Sequence, residues 1–416
     1  MEPYELLRAV YAVMTVITSV CYFYQFAYLF LPLILRKKSC KKNLPNRYAI
    51  LIAARNEEAV LPYLLQSIAA QDYTPELITT FVVADNCTDS TARIAREQGA
   101  VVYERFSKTH IGKGYALAHL LERIRRDYGP DRFDAYLIFD ADNVLAPDYL
   151  RQMNRLCSAG YPAFCGYRNC KNFDGNWLSS AYGVWYLHDS EHLNHSRMLL
   201  GTCCAVNGTG FGFTARLLEE MGGWHFFTLT EDIEFSTWCA TRGIRIGYCR
   251  DAVLYDEQPE RFRVSWRQRT RWVQGGIQVS CKYGWKLLRG IFRGGYTGYA
   301  CLETLTLSLW GCLFTGICCV LGFVSAYLSG GPSTLLNLLG IGLISSYLSL
   351  SGVGALTVLT QWQRIHAPAH KKLLSILFFP IFMLSYLPIS LTALFRKFQW
   401  APVEHKVTVS ADKFQK

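Results

Sequence analysis

Three short sets of residues in this chain of 416 have the types and spacing that chemistry needs. Asp140-Ala141-Asp142 closes an apolar run. Two carboxylates one residue apart, where a chain leaves the pleat, can face one side and offer hard oxygens to one divalent cation. Magnesium or manganese takes few protein carboxylates of this kind and fills its shell with phosphate oxygens or water. Alone, the same pair also reads as a solvated Asx turn or a helix cap ahead of Pro147. Thr230-Glu231-Asp232 follows Gly222-Gly223-Trp224 and precedes an apolar-spaced helix over 233–241. Either Thr230 caps that helix and the acids complement its dipole, or one of the two acids is a general base at the end of a cleft. Within the basic run 261–272, Gln268, Arg271 and Trp272 can clamp a diphosphate and stack on a sugar ring.

Such groups need rigid elements to hold them. Tyr48 to Ala54 is a short apolar run between Pro45 and Arg55-Asn56-Glu57-Glu58, which predicts a buried strand and then a helix start. Helical spacing follows over 60–70, a second strand over 79–84, a polar turn from Asp85 to Asp89, a helix over 90–98 and a third strand over 100–104. A helix over 115–128 and a strand over 134–139 complete the alternation. That order predicts an α/β domain with a parallel, doubly wound sheet and ligands at the carboxyl ends of its strands, where Asp85, Asp140 and Asp142 fall. Neither Gly-x-Gly-x-x-Gly after the first strand nor a phosphate-binding Gly-x-x-x-x-Gly-Lys-Ser/Thr is present, so a dinucleotide fold and a nucleoside triphosphatase are unsupported. The 15 cysteines are odd in number and show no second pair at zinc spacing; Cys165 and Cys170 read as small buried hydrophobes.

Charged residues make up 18% of the chain, and the shortfall against an ordinary soluble domain sits in three blocks without any: 9–35, 304–363 and 373–395. Each exceeds the roughly 20 residues that span a bilayer. Gly330-Gly331-Pro332-Ser333 divides the second into two helices. The net charge of +11 lies beside these blocks, whereas residues 43–259 hold 20 basic and 26 acidic side chains. Basic flanks on an acidic domain suit anionic lipid headgroups, not a nucleic-acid partner. Arg36, Lys37, Lys38, Lys41 and Lys42 after the first block place the polar middle in the cytoplasm of a multi-pass membrane protein. The side of the tail stays open: Arg396, Lys397 and Lys406 favour the inside, and simple alternation of spans the outside. An amphipathic stretch with Trp285, Leu287, Leu288 and Ile291 among Lys282, Lys286 and Arg289 predicts an interfacial helix. The expected organisation is an anchor with its basic flank (1–42), a catalytic domain (43–278), the interfacial helix (279–296), about three transmembrane helices (297–397) and a tail (398–416).

In order and spacing, Asp85, Lys113 before an Ala-Leu helix, Asp140-x-Asp142, Asn207-Gly-Thr-Gly-Phe211, Gly222-Gly-Trp224, Thr230-Glu-Asp232 and Gln268-x-x-Arg271-Trp272 resemble the membrane-embedded family 2 glycosyltransferases. Cellulose, chitin and hyaluronan synthases belong to that group, and the likeness covers about Tyr48 to Gly276. It implies a GT-A fold, an α/β domain with a doubly wound mixed sheet and flanking transmembrane helices. The implied reaction is inverting transfer of a sugar from a nucleotide-sugar, usually UDP-linked, to an acceptor hydroxyl. By the same resemblance, Ala54 and Asp85 would lie near the base and Lys113 near the diphosphate. Asp140 and Asp142 would hold the nucleotide and Mg2+ or Mn2+. Asp232 would be the base, with Glu231 in reserve. Gln268 and Arg271 would steady the diphosphate, and Trp272, with Thr230, would meet the acceptor. The acceptor is a saccharide, as in processive polysaccharide synthesis, or a membrane lipid. A non-catalytic scaffold or transporter would be expected to have lost part of this set, which is intact.

Overall fold

The computed structural model describes residues 3–35, 42–395, 407–409 and 411–414. The expected basic clusters at Arg36 to Lys38, Lys41, Arg396, Lys397 and Lys406 lie outside the described residues.

The chain opens with α1 (Pro3–Ile34), a long helix that is apolar enough to cross a membrane. Alternation then runs as expected: β1 (Tyr48–Ala54), α2 (Leu61–Ala69), β2 (Ile78–Asp85), α3 (Thr91–Glu97), β3 (Val101–Arg105), α4 (Lys113–Tyr128) and β4 (Ala135–Asp140). These four strands pair in parallel in the order β3-β2-β1-β4. Central β1 is apolar on both faces because helices cover both. Its residues Tyr48 to Ile52 are fully buried, each contributing roughly 1.5–3 kcal/mol of burial when the side chain is large.

Beyond β4 the sheet departs from the all-parallel expectation. The short β5 (Val144–Leu145) leads to α5 (Tyr149–Ser158), β6 (Ala163–Cys170) and α6 (Trp177–His188), then a π-helical turn, Asp189–Asn194, and α7 (His195–Leu200). After β7 (Phe211–Thr214), α8 (Ala215–Met221) and α9 (Glu231–Arg242) comes β8 (Ile246–Asp256). β7 lies antiparallel between β4 and β6, β8 is parallel to β6, and β5 closes the edge antiparallel to β8. No strong βαβ period marks this half in the sequence, because β5 and β7 are too short for one. Two apolar layers result, one holding α4, α6 and α9 against the sheet and the other holding α2 and α5. Cys165 and Cys170 sit buried in the first as free thiols.

The interfacial helix expected over 279–296 is not separate. A single helix, α10 (Phe262–Ile291), carries both the Gln268 to Trp272 set and the amphipathic stretch. No breaker interrupts it: Gly275 and Gly276 stay helical because Gly275 packs against Thr230. Val279, Tyr283 and Leu287 face inward while Trp285 and Leu288 are exposed.

After α11 (Gly295–Thr306), α12 (Leu309–Thr360) is two apolar helices joined at a break where Gly330 and Gly331 leave helical geometry. The last apolar block forms α13 (Ala369–Leu384) and α14 (Tyr386–Phe395), broken at Ser385. Three stretches, Tyr4–Ile34, Leu309–Thr360 and Ala369–Phe395, are long and apolar enough to cross a membrane. The third is fastened to the α/β domain along its length: Lys371 Nζ donates to Asp174 O, Arg269 to Phe382 O, and Gln274 Nε2 to Ala393 O. Downstream, Phe414 stacks on Tyr255 of β8 at 3.9 Å, and Val407 N donates to Glu257 Oε2 at 3.0 Å.

Candidate active site

A cleft of about 220 Å³ opens at the carboxyl ends of β1, β4 and β8, where the sheet turns from parallel to antiparallel. Such a reversal leaves a crevice no helix can fill. Lys113, Asp140, Asp142, Thr230, Glu231, Asp232, Gln268, Arg271 and Trp272 all line it. Nine of the eleven residues singled out in the sequence thus meet in one place, from four separate segments.

The other two stand apart. Period-2 alternation in β1 turns Ala53 to the cleft and buries Ala54 in the opposite layer. Asp85 does lie at the end of β2, but its carboxylate is taken by the Arg105 guanidinium at 2.5 Å in a nearly closed pair. The loops after β1 and β2 are stitched together there. Thr88 N donates to Asn56 Oδ1, Ser90 N to Glu58 Oε2, and Glu57 N to Thr91 Oγ1. Asn56 and Asn86 adopt the left-handed conformation these turns need.

Lys113 begins α4 and reaches across to Asp140 Oδ1 and Gly208 O, both at 2.5 Å, with Glu231 Oε1 at 3.9 Å. Burial works to lower its ammonium, but Asp140, Glu231 and Asp232 outweigh that and hold it above its ordinary value. Asp140 N donates to Thr209 Oγ1 and Asn143 Oδ1, which fixes the end of β4 to the Asn207-Gly-Thr-Gly segment. Gly208, at φ +76°, is where that segment turns; a Cβ there would lie 3.8 Å from Asp232 Oδ2 and 3.9 Å from Asp140 Oδ2. The glycine therefore leaves room in the space that the two carboxylates share.

Asp142 is buried and accepts from Glu257 N and Asn143 Nδ2. Beside it Asp256, the last residue of β8, pairs with Arg168 and accepts from Asn143 Nδ2 at 2.8 Å. Burial, then the charges of Asp142 and Asp140, push the Asp256 carboxyl up to about 6 against the pull of Arg168. Sequence reasoning missed Asp256, Arg168 and Glu257, and also Arg55 and Glu57, all of which line the cleft. The only sequence signal was the acidic pair Asp256-Glu257 ahead of Pro259.

Among the described residues, no three His, Cys, Asp or Glu side chains converge as a finished metal cage. The donor set nevertheless fits a hard cation that keeps open positions for phosphate. Three aspartates lie along one wall, and burial first, then the charges of Asp142 and Asp140, hold Asp256 high.

On the facing wall, Thr230 occupies the N-cap position of α9 without accepting a side-chain capping bond. Its hydroxyl is buried and turned to α10, where a Cβ on Gly275 would come within 2.4 Å of it. Simple capping therefore does not account for Thr230. Glu231 is pushed up to about 7 by burial first and by Asp232 next, with Lys113 pulling the other way; Asp232 is raised by burial as well. Tyr182 orients the α10 set: its hydroxyl donates to Gln268 Oε1 at 3.2 Å and its ring meets Trp272 edge-on at 6.1 Å.

A sheet that reverses direction at β4, with its cleft at the reversal and apolar helices on both sides, has the architecture of a membrane-attached GT-A glycosyltransferase. The chain belongs to glycosyltransferase-like family 2, whose profile matches residues 45–275. Among similar proteins, the β-monoglucosyldiacylglycerol synthase of Synechocystis sp. is 25% identical over 280 residues, covering 63% of this chain and 57% of that one. The poly-β-1,6-N-acetyl-D-glucosamine synthase of Staphylococcus aureus is 26% identical over 235 residues, covering 55% and 54%. The chain thus spans little more than half the length of these curated relatives. The mannosyltransferase PcManGT of Pyrobaculum calidifontis, solved with GDP-Man and Mn2+, superposes with a TM-score of 0.58 at 17% identity, over 92% of this chain and 99% of that one. That likeness carries the fold.

Proposed function

We propose that this enzyme transfers a sugar from a nucleotide-diphosphate sugar, UDP-linked first among those to test, to an acceptor hydroxyl with inversion at the anomeric carbon. The observation that carries this reading is the convergence of Lys113, Asp140, Asp232, Arg271 and Trp272 on one cleft. Asp140 and Asp142, with Asp256 beside them, would hold Mg2+ or Mn2+, which when bound neutralises charge on the departing diphosphate. Lys113 supplies a fixed ammonium on the same side, and Gln268 with Arg271 steadies the diphosphate oxygens. Asp232 accepts the proton of the acceptor hydroxyl as its oxygen bonds to the anomeric carbon and the bond to the phosphate oxygen breaks. Glu231, next to it, is the reserve base, and Trp272 is the floor on which the acceptor sits, with Thr230 behind.

A saccharide acceptor and possession of an aromatic floor go together, and the Staphylococcus relative is named as a polymer synthase. A second reading, transfer to a membrane lipid, is favoured by the membrane helices. The most apolar windows of α1 and α12 are 0% and 11% buried, which leaves broad apolar surface for a bilayer and its lipids to meet. The Synechocystis relative is named as a glycolipid synthase. Membranes incubated with radiolabelled UDP-glucose and UDP-N-acetylglucosamine test both. Label in water-soluble polymer supports the first reading and label in the organic phase the second. Label in neither, across nucleotide-sugar donors, would refute the proposal. The cytoplasmic placement of the domain is part of the same reading, and protease access in sealed vesicles of known orientation checks it.

A further inference from the structure

Arg269 lies inside the Gln268 to Trp272 set, yet it points away from the cleft. It is fully buried, and among the described residues no carboxylate pairs with it. Its guanidinium sits among four rings: Phe382 at 4.5 Å, Tyr386 at 5.0 Å, Tyr182 at 5.9 Å and Phe262 at 6.0 Å. Nη1 donates to Phe382 O at 3.0 Å and Ser385 Oγ at 2.7 Å, whereas Nε and Nη2 have no hydrogen-bond partner among the described residues. A buried arginine without a counter-ion is expensive, so it persists where its hydrogen bonds hold something that needs holding.

What it holds is the break between α13 and α14. An interrupted helix in apolar surroundings frees carbonyls that must be satisfied from elsewhere. Phe382 O is at that break, and the donor comes from α10, the helix that presents Gln268, Arg271 and Trp272 to the cleft. Tyr182 shares both sites: one of its faces meets Arg269, its hydroxyl meets Gln268 and its edge meets Trp272.

We infer that Arg269 is a positioning residue that pins the break in the last apolar helices to α10 and thereby fixes the acceptor side of the cleft. It touches neither the Lys113–Asp140 wall nor the carboxylate cluster, so its loss falls on what α10 presents, Trp272 under the acceptor first and Gln268 with Arg271 at the diphosphate, and spares the Lys113–Asp140 side of the donor site. This inference rests on the transferase reading above.

Arg269→Gln, which keeps hydrogen-bonding capacity but not the charged fork, and the milder Ser385→Ala and Tyr386→Leu test it in the full-length, membrane-inserted enzyme. The readouts are kcat for transfer, KM for the donor, and the ratio of sugar transferred to acceptor over sugar released to water. A misplaced α10 wall should lower kcat and that ratio by roughly 10²-fold for Arg269→Gln, and less for the other two, with any rise in donor KM smaller than the fall in kcat. A purely structural role would reduce the amount of folded enzyme and leave the ratio unchanged, which would overturn the inference. If Arg269→Gln does not accumulate, the ratio in Ser385→Ala and Tyr386→Leu decides alone. Should the wild type transfer no sugar, the transferase reading fails first. Should it transfer, and Asp232→Asn not, an unaltered ratio in the Arg269 and Ser385 variants refutes this inference only.

Discussion

The two walls of the cleft are built by different means. The Asp140–Asp142 wall stands on the end of β4, where parallel pairing with β1 and the bonds from Asp140 N to the Thr209 and Asn143 side chains set positions within the sheet itself, and Lys113, at the start of α4, is bonded onto it. The Thr230–Asp232 and Gln268–Trp272 wall stands on two helices that meet side by side, held by Gly275 against Thr230 and by Tyr182 and Arg269 against the last apolar helices. A strand end cannot move without breaking a ladder, whereas a helix can slide or tilt. The first wall is thus fixed by the domain alone, and the second by how the domain packs on its membrane segments.

Breaking the chemistry of each wall gives the largest effects. Asp232→Asn should lower transfer by about 10²–10⁴-fold, the usual worth of a general base, with donor binding retained in a nucleotide-displacement assay. If Glu231 is the base instead, Glu231→Gln will show that loss. On the other wall, Lys113→Met should cost roughly 10²–10³-fold in kcat, as removal of a fixed charge at the leaving group does. Its donor KM should rise too, which Asp232→Asn should not cause.

Smaller effects probe the mechanical difference. Gly275→Ala drives a methyl toward Thr230 Oγ1, and overpacking of this kind costs about 1–3 kcal/mol. Thermal unfolding should show the loss, and the double variant with Thr230→Ser, which removes the crowding Cγ2, should recover part of it. No comparable variant at the first wall should be rescued from α10.

The last prediction concerns pH. Burial and the neighbouring Asp232 push Glu231 up to about 7, and the two acids exchange protons as one unit, so the acid limb of transfer should rise through neutral pH. Glu231→Gln removes a like charge, lowers the Asp232 value and moves that limb to more acidic pH; a limb that stays put would separate the two acids. For stability the sign is opposite. Folded Glu231 holds its proton more tightly than the unfolded chain, so its contribution is intact below the ordinary carboxylate range and is lost as pH rises through about 7.

This division also explains what was legible in the sequence. β1 was readable to its ends and β2 to β4 within a residue or two, because their apolar runs and polar stops obey local rules, and Asp140 and Asp142 followed from them. Ala54 is turned by the pleat into the layer opposite the cleft, a one-residue distinction that motif order does not resolve. Asp256, Arg168 and the Asp85–Arg105 pair are contacts between segments distant in sequence, invisible to periodicity. The continuity of α10 was hidden because Gly275-Gly276 looks like a stop until Thr230 is seen packed against it. The antiparallel β7 has only four residues and no turn signature, so the mixed character of the sheet followed from the family likeness alone.

The end of the chain has a consequence of its own. Having left β8 for the apolar helices, the backbone is tied back at Asp174, Arg269 and Gln274, and last at Tyr255 and Glu257, next to the aspartates. These ties, spread from Asp174 to Glu257, hold the described apolar helices and the described terminal residues against the α/β domain as a girdle does, and not as a stalk on which the domain could swing.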